Sequence, residues 1–487
     1  MGRKILFIMT DMMRWDALGY MGDPVARTPN LDRLAKEGIL YQRAYNQNPL
    51  CMPSRSSCLT GQYPRSMGSW NNGIALYHEA PTFANELHDL GYRTALIGKG
   101  HFEPYSSKHS LETALGTSFR FGPLRGFDYY IGSGHDLVPM GGHYTQWLKR
   151  YHPQYLEGYY YDLLNPPTKP GEHSTMNVIK GGETDAVFVK ENDIPRELYH
   201  TDWTADHAIR YLDSVDDPAP GFGESDEQRL GWLEDKPWHW KQWYTGEKFI
   251  SFEAIEGFSY QENLTSDNVR EIRAKIYISN ELIDEAIGKV LKYLEDRGWL
   301  DDTDIFFAPD HGAMDGDYGL LLIGPDLTDH CCRLPLIWKP AKSANVPAAE
   351  VTAPVGLIDL APTFCQIAGG EVPEWMEGQP LPASEQEAQA QGRETVYTQY
   401  ESHTPDASII MNAVYADGYR CIVYERSMTY EGTEGELYKV EDDPLCLVNL
   451  WDDPAHQGIK KDLIDAVRSD LLSRPLLHPL PEPGALI

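Results

Sequence analysis

The segment Cys51-Met52-Pro53-Ser54-Arg55-Ser56-Ser57-Cys58-Leu59-Thr60-Gly61 has the signals of one short helix. Pro53 is suited to the first turn, and Gly61 is a natural end. Cys51 is therefore expected at a helix N-terminus, where backbone N–H groups and the helix dipole favour negative charge. Arg55 follows one turn later on the same face. From these residues alone, a structural cysteine and a reactive one are equally expected.

Strands and helices alternate on both sides of this segment. Residues 5–9 are a short apolar run that ends at Thr10-Asp11, which predicts a buried strand with a carboxylate at its C-terminal end. A second apolar run, 304–308, leads into Asp310-His311-Gly312. This alternation favours an α/β fold, and we predict a mostly parallel central sheet covered by helices on both faces. In such sheets, sites gather beyond the carboxyl ends of the strands.

The rest of the chain predicts one large unit and one small one. Residues 104–246 are rich in Tyr, Trp, Pro and Gly, and we interpret most of them as long loops, with a helix near 201–212. A long helix is predicted over 266–297. The polar segment 381–392 is expected to be exposed. We therefore predict a catalytic α/β domain, 1–380, and a small C-terminal α+β subdomain, 381–487.

Charge and hydropathy exclude two classes of function. The 487 residues include 42 Lys and Arg against 73 Asp and Glu, for a formal net charge of −31. Without a broad basic surface, binding to nucleic acid is not expected, although a small anionic substrate needs only a few local cations. No run approaches the roughly 18 apolar residues of a membrane helix, so no membrane span is expected.

The cysteines indicate a reducing compartment. There are seven, at low density and with no CxxC pair, which argues against a disulfide scaffold. Cys58, near the end of the first segment, is predicted to lie in the core. The N-terminal apolar run is shorter than the apolar core of a secretory signal. We therefore predict a cytoplasmic protein.

The C-x-P-S-R…L-T-G string of residues 51–61 resembles the modification motif of the formylglycine-dependent sulfatases. Relatives of that family include phosphonate monoester hydrolases, and the wider fold is that of alkaline phosphatase. Further family-like strings are Thr10-Asp11, Arg27-Thr28-Pro29-Asn30-Leu31-Asp32-Arg33-Leu34, Gly98-Lys99-Gly100-His101, Pro309-Asp310-His311-Gly312 and residues 357–370. The resemblance covers most of the chain and implies an alkaline-phosphatase-like fold and hydrolysis of sulfate monoesters.

The resemblance also implies a cofactor and a maturation step. In that family a separate enzyme oxidises the motif cysteine to formylglycine, whose hydrate attacks the ester and later expels sulfate. One divalent metal, Ca, Mn, Mg or Zn, lowers the pKa of the nucleophile. We therefore expect a formylglycine-generating enzyme as a partner, a small anionic ester as the substrate, and assembly into a homo-oligomer.

Carried over residue by residue, the resemblance makes Asp11, Cys51, Asp310 and His311 the metal ligands. Cys51, as formylglycine, is also the nucleophile. Carboxylate oxygens and an imidazole suit such an ion.

The same resemblance assigns three further catalytic residues. Arg55 would steady the nucleophile and help to neutralise the anion. Lys99 would bind a substrate oxygen. His101 would hydrogen-bond the nucleophile and take its proton in the release step.

Several positions depart from the family pattern. Met12 stands where many sulfatases have a second Asp, and Ile323 stands near the place of a second substrate lysine. The Pro-His string that usually supplies the leaving-group acid has no counterpart, since the nearest predicted strand, 249–258, contains no His. His200, at a predicted helix start, is our substitute for that acid.

Two groups of residues after the motif helix are candidates for substrate binding. Asn72 and His78 are predicted to reach the mouth of the site, although Asn71-Asn72-Gly73 is also a turn sequence. A tyrosine cluster is expected to line an apolar pocket, to belong to the core or to form a subunit contact. Its members are Tyr151, Tyr155, Tyr159, Tyr160 and Tyr161.

Three functions stay open at this point. The first is hydrolysis of sulfate monoesters, and the presence of both Lys99 and His101 favours it. The second is hydrolysis of phosphonate monoesters or phosphodiesters on the same scaffold, which Met12 favours. The third is a catalytically impaired relative that keeps the fold and the metal, which the missing lysine and Pro-His string favour.

Overall fold

The computed structural model describes residues 3–105, 107, 109–134, 142–155, 194–215, 266–317, 323–403 and 408–476. Its strands are β1 (Lys4–Thr10), β2 (Ile39–Tyr45), β3 (Ala95–Ile97), β4 (Tyr129–Ile131), β5 (Thr303–Pro309), β6 (Arg333–Lys339), β7 (Ala349–Val351), β8 (Val355–Gly356), β9 (Val396–His403), β10 (Ser408–Ala416), β11 (Tyr419–Tyr424) and β12 (Gly435–Lys439). Its α-helices are α1 (Pro29–Glu37), α2 (Cys51–Thr60), α3 (Pro64–Met67), α4 (Phe83–Asp89), α5 (Leu111–Thr117), α6 (His143–Tyr151), α7 (His200–Ser214), α8 (Ser266–Asp296), α9 (Asp329–Cys332), α10 (Leu360–Ile367), α11 (Glu385–Gln391) and α12 (Gln457–Ser469).

A six-stranded sheet forms the centre of the molecule. Its order is β1-β5-β6-β2-β7, and β8 also pairs with β2. The β1–β5, β2–β7 and β2–β8 pairs are parallel. Strand β6 runs antiparallel to both of its neighbours, β5 and β2. The predicted α/β fold with a mostly parallel central sheet is confirmed, with one reversed strand inside it.

Helices cover both faces of this sheet, which explains why β5 is buried along its whole length. On one face, Phe306 packs in a cluster with Leu59 of α2. On the other face, Phe307 packs with Leu34 of α1 and Leu291 of α8. Alternate residues of β5 therefore join two separate hydrophobic cores.

The helices agree with the sequence prediction in part. The predicted long helix is α8, with 31 residues. Within the described ranges, no helix has the length and apolarity needed to cross a membrane. The interpretation of 104–246 as mostly loops is wrong where α5, α6 and β4 lie. Helix α6 packs Tyr144 and Leu148 against Ile131 and Trp203, contacts that a single sequence does not reveal.

The C-terminal part is built around a four-stranded antiparallel sheet in the order β12-β11-β10-β9. Strand β9 joins the main body where Gln399 N donates to Gln47 O over 2.9 Å. The segment 381–392, predicted to be exposed, contains α11, whose Ala388 is buried in the same core cluster as Leu381. The domain boundary at 380/381 stays a prediction.

Asp284 of α8 caps the N-terminus of α1. Its fully buried carboxylate accepts hydrogen bonds from Leu31 N at 2.8 Å and Asn30 N at 3.1 Å. The N-cap residue of α1, Thr28, makes no side-chain cap to this helix. Asp284 therefore satisfies two backbone donors that a helix start leaves without partners.

We predict that Asp284→Asn lowers the free energy of unfolding by about 1–3 kcal/mol, because one acceptor oxygen becomes an NH₂ group that faces a backbone N–H. Urea unfolding followed by circular dichroism measures this change. Asp296→Asn is the control, since the Asp296 carboxylate is exposed and pairs with Lys292 on the surface. That variant should change stability by less than about 0.5 kcal/mol. Equal effects of the two substitutions would contradict the assignment.

Candidate active site

Strands β1 and β5 end side by side. They are parallel neighbours, and their register pairs Thr10 with Pro309 as the last residues of each strand. The next residues along the chain, Asp11 and Asp310, therefore leave the sheet at the same edge. His311 follows Asp310 directly.

The motif helix α2 begins at Cys51, and Gly61 ends it in the left-handed conformation at φ 67°. The predicted helix over this segment is confirmed. Its first residue lies at the sheet edge described above, since Cys51 Sγ is 3.0 Å from His311 Nε2 and 3.8 Å from Asp11 Oδ1. The helix N-terminus therefore adds its partial positive charge to this place.

Asp11, Cys51, Asp310 and His311 bring one potential ligand atom each to within 4.8 Å of one another. Asp11 is 38 % exposed, whereas the other three side chains are buried, so the cluster opens to solvent at Asp11. His311 Nδ1 donates to Gly312 O at 2.9 Å, so Nε2 is the ring atom that could bind a cation. Two carboxylates and an imidazole suit a divalent cation.

Two cations compensate these carboxylates. Arg55 Nε lies 2.7 Å from Asp310 Oδ2, and Lys99 Nζ lies 2.6 Å from Asp11 Oδ2. Burial alone would lower the pKa of Lys99, but the charges of Asp11 and Cys51 outweigh it and raise that pKa. Burial likewise acts to lower the pKa of His311, and Asp310 and Cys51 raise it to about 10. Both shifts have the same origin, since the carboxylates and Cys51 favour positive charge on the groups beside them.

Arg55 also connects two segments of the chain. Its Nη1 donates to the carbonyl of Lys99 at 2.8 Å, so the motif helix and the turn after β3 share one guanidinium. His101, two residues further on, is completely buried and stacks on Tyr105 with the ring centres 5.0 Å apart. The catalytic roles assigned to Arg55, Lys99 and His101 stay predictions.

The residues predicted to bind substrate have different surroundings. Asn72 Oδ1 accepts a hydrogen bond from Met52 N at 3.1 Å, next to Cys51 in the first turn of α2. His78 is 57 % exposed, and its Nδ1 lies 3.6 Å from Glu103 Oε1. Asn72 therefore lies beside the first turn of α2, next to Cys51, whereas His78 lies beside a buried carboxylate. Binding of substrate by either residue stays a prediction.

His200, the predicted leaving-group acid, is the first residue of α7. Its ring packs against Tyr199 and Tyr144, with ring centres 4.2 and 6.2 Å away. The same helix lies close to the Lys99 turn, because a Cβ on Gly98 would be 3.2 Å from Thr204 Cγ2. The role of His200 as an acid stays a prediction.

The departures from the family pattern can also be placed. Met12 has a left-handed backbone, with φ 53°, and its N–H donates to Asp310 Oδ1 at 3.3 Å. Ile323 packs against an apolar cluster that contains Met314 and Leu327. At the position where a second lysine was sought, this chain therefore has an apolar contact.

The tyrosine cluster is described only in part. Tyr151 is 54 % exposed, whereas Tyr155 packs against a cluster that includes Tyr144 and Trp203. Tyr159, Tyr160 and Tyr161 lie outside the described residues, as does the predicted strand 249–258.

Sequence reasoning missed one residue that positions Asp310. Ser54 Oγ donates to the backbone carbonyl of Asp310 at 2.6 Å, so Ser54 and Arg55 fix both ends of that residue. Ser54 lies inside the quoted segment, three residues after Cys51. The signal was therefore present in the motif.

Comparison with known proteins agrees with this geometry. The sulfatase family model matches residues 3–370, about three quarters of the chain, and the model of the N-sulphoglucosamine sulphohydrolase C-terminal region matches 327–471. The chain belongs to the sulfatase family. It is a sulfuric ester hydrolase of the group that also includes phosphonate monoester hydrolases.

The relatives of this sulfatase are distant in sequence. It is 26 % identical to the ulvan-active sulfatase of Formosa agariphila over 478 residues, which span 94 % of this chain and 79 % of that protein. Two solved phosphonate monoester hydrolases share the fold. The Agrobacterium radiobacter enzyme has a TM-score of 0.67 and 19 % identity, with 97 % of this chain and 96 % of that one covered. The Silicibacter pomeroyi enzyme has a TM-score of 0.66 and 23 % identity, with coverage of 97 % and 95 %.

We predict that a divalent cation raises the melting temperature of the sulfatase through this cluster. Stabilisation should approach about 2.7 kcal/mol at a concentration 100 times the dissociation constant. Thermal shift assays with Ca²⁺, Mn²⁺, Mg²⁺ and Zn²⁺ measure it. Asp11→Asn should weaken the affinity at least about tenfold, because a neutral amide replaces a ligand.

Asp302→Asn is the matched control for this measurement. Asp302 is an exposed carboxylate that pairs with Lys4 at the other end of β1. A cation that stabilises the Asp11→Asn and Asp302→Asn variants equally would bind elsewhere, and the assignment of the cluster would be wrong.

Proposed function

We propose that this sulfatase is metal-dependent and hydrolyses sulfate monoesters with a formylglycine derived from Cys51. The observation that carries the proposal is the convergence of Cys51 with Asp11, Asp310 and His311 at the start of one helix. A cysteine kept only for packing would not need two carboxylates and an imidazole around it.

The donor set fits both groups that this chemistry requires. A divalent cation held by Asp11, Asp310 and His311 would lower the pKa of the nucleophile and neutralise charge on the ester anion. Formylglycine, made from Cys51 by a formylglycine-generating enzyme, would supply the nucleophilic hydroxyl of its hydrate.

Arg55 and Lys99 bind the anion in different ways. Arg55 is buried and paired with Asp310, so its charge stays at one place beside the nucleophile. Lys99 pairs with Asp11, the exposed member of the cluster, and its flexible ammonium group can move from that carboxylate to a substrate oxygen. The N-terminus of α2 adds backbone donors that favour an anion.

Proton transfer is assigned to two histidines. His101 takes the proton that must leave the nucleophile when the anion is released, and His200 protonates the departing alcohol. Asn72 orients the first turn of α2 and, together with His78, is assigned to substrate binding.

The charge of the substrate follows from the cations available. Arg55 and Lys99 are both partly neutralised by the carboxylates they pair with, and Ile323 provides no further charge. A sulfate monoester carries one negative charge, whereas a phosphate monoester carries about 1.5 to 2 at pH 7. We therefore expect singly charged esters to be preferred.

We predict that Cys51 is converted when the protein is produced together with a formylglycine-generating enzyme. Mass spectrometry of the peptide that contains residues 51–55 should show the aldehyde in place of the CH₂–SH group. Cys51→Ala should lower kcat for 4-nitrophenyl sulfate by about 10³-fold or more, because the nucleophile is lost.

Cys58→Ala is the control for this prediction. Cys58 is buried in the main core about two turns further along α2, away from the ligands. It should be converted and active like the wild type. A thiol that stays unmodified at Cys51, or an active Cys51→Ala variant, would refute the mechanism.

A second candidate function is hydrolysis of phosphonate monoesters or phosphodiesters. The observation that favours it is the ligand set, in which Met12 leaves Asp11 without a second adjacent carboxylate. Both ester types are singly charged, so they meet the same cations as a sulfate monoester.

We predict that kcat/KM decreases from 4-nitrophenyl sulfate to 4-nitrophenyl phenylphosphonate and bis(4-nitrophenyl) phosphate, with the dianionic 4-nitrophenyl phosphate last. Steady-state rates for the four esters with converted enzyme give the order. A higher kcat/KM for the phosphonate or the phosphodiester would establish the second candidate. Metal binding without turnover of any ester would indicate the impaired relative.

A further inference from the structure

The turn that carries Lys99 and His101 has an unusual backbone. His101 is in the left-handed region, with φ 59°, which only a few per cent of non-glycine residues adopt. Such a conformation costs of order 1–3 kcal/mol and persists only where the surroundings fix it. The question is which group fixes it.

Glu112, near the start of α5, makes the contact that does so. Its side chain is completely buried, and its two oxygens accept hydrogen bonds from consecutive backbone N–H groups. His101 N donates to Oε2 at 2.8 Å, and Phe102 N donates to Oε1 at 2.7 Å. A Cβ on Gly100 would lie 2.5 Å from Oε2, so the carboxylate is seated directly against a glycine backbone.

The ionised form of Glu112 makes the stronger contact, because a carboxylate accepts charge-assisted hydrogen bonds through both oxygens. Burial, and then repulsion by Glu103, raise the pKa of Glu112 to about 7. The other ionisable side chains that interact with it are Tyr105, Tyr130 and Arg125, whereas His101 contacts it through the backbone N–H. Charge at this position therefore costs stability.

The same turn is fixed at its two ends. Before it, Lys99 donates to Asp11, and its carbonyl accepts from Arg55. After it, Phe102 is buried in the main core, and its carbonyl accepts from Leu76 N at 2.9 Å. Between these ends, the hydrogen bonds of Glu112 hold the part of the turn that carries the His101 ring and leads back to Lys99.

We propose that Glu112 is a positioning residue, which fixes the Lys99–His101 turn against the Cys51 helix through its hydrogen bonds to His101 N and Phe102 N. The proposal rests on the proposed function for the roles of Lys99 and His101. Glu112 itself touches neither Cys51 nor the ligand carboxylates among the contacts of the described residues.

The test compares Glu112→Gln with Asp284→Asn. Both residues are buried carboxylates that accept from two consecutive backbone N–H groups, but Asp284 caps α1. Glu112→Gln should lower kcat for the preferred ester about 10- to 100-fold, because small misplacements of catalytic groups have effects of that size. KM should change less than about threefold, and Asp284→Asn should leave both constants unchanged.

A second readout does not depend on turnover. The ¹H–¹³C resonance of the His101 ring is sensitive to its stacking on Tyr105. Glu112→Gln should move this resonance, whereas Asp284→Asn should not. If the wild type hydrolysed none of the esters, the proposed function would fail, and this resonance would still report whether Glu112 positions the turn.

The pH dependence of the melting temperature shows whether the charge on Glu112 stabilises or destabilises the folded protein. Because the pKa of Glu112 is raised in the folded state, this group makes the wild type less stable as the pH rises from about 4.5 to about 7. Glu112→Gln lacks that dependence. The melting temperature of the variant relative to the wild type should therefore be higher at pH 8 than at pH 5.

Gly100→Ala approaches the same contact from the backbone side and should give the same loss of kcat and the same shift of the His101 resonance. If Glu112→Gln does not fold, the Gly100→Ala variant still tests the proposal. The proposal would be overturned by wild-type kcat in Glu112→Gln or Gly100→Ala, or by an unmoved His101 resonance.

Discussion

The buried carboxylate of Asp310 is the constraint on which the arrangement of this molecule depends. It is completely buried at the end of a central strand, where an unpaired charge would cost several kcal/mol. Arg55 supplies the opposite charge, Ser54 bonds the Asp310 carbonyl, and the N–H of His311 bonds its other carboxylate oxygen. Helix α2 therefore has to dock with this face toward β5. Docking in this way brings Cys51, one turn before Arg55, against His311.

The sequence was sufficient to predict that Asp11, Asp310 and Cys51 lie close together, because their positions follow from regular structure. Asp11 and Asp310 each end an apolar run, and parallel pairing brings such ends to one edge. Cys51 begins a helix whose start and end have clear signals. The family resemblance then assigned Asp11, Asp310 and Cys51 to one site. Glu112 could not be found in this way. Its contact with His101 depends on how α5 folds back, and no periodicity marks a single buried carboxylate in a stretch interpreted as loops.

The same distinction applies to the fold. Apolar runs and a long amphipathic pattern predicted β1, β5 and α8, because residues that face the core recur at the spacing of a strand or a helix. Burial does not give strand direction, so the reversal of β6 was not predicted. Helix α6 was missed because aromatic packing on β4 and α7 stabilises it. The segment 381–392 was predicted to be exposed because it is polar. One buried residue, Ala388, nevertheless attaches α11 to the core.

The net charge of −31 and an anionic substrate are compatible because the field at the site is local. Arg55 is already engaged by Asp310, and Lys99 by Asp11, so neither presents a full uncompensated charge before a cation joins the cluster. A divalent cation would relieve this arrangement by taking over the neutralisation of both carboxylates. Lys99, on the exposed side, would then be released toward the substrate, whereas buried Arg55 would stay in place. Substrate binding and metal binding are therefore expected to be coupled through the Asp11–Lys99 pair. The coupling free energy is limited because only one positive charge, that of Lys99, moves from Asp11 to the substrate.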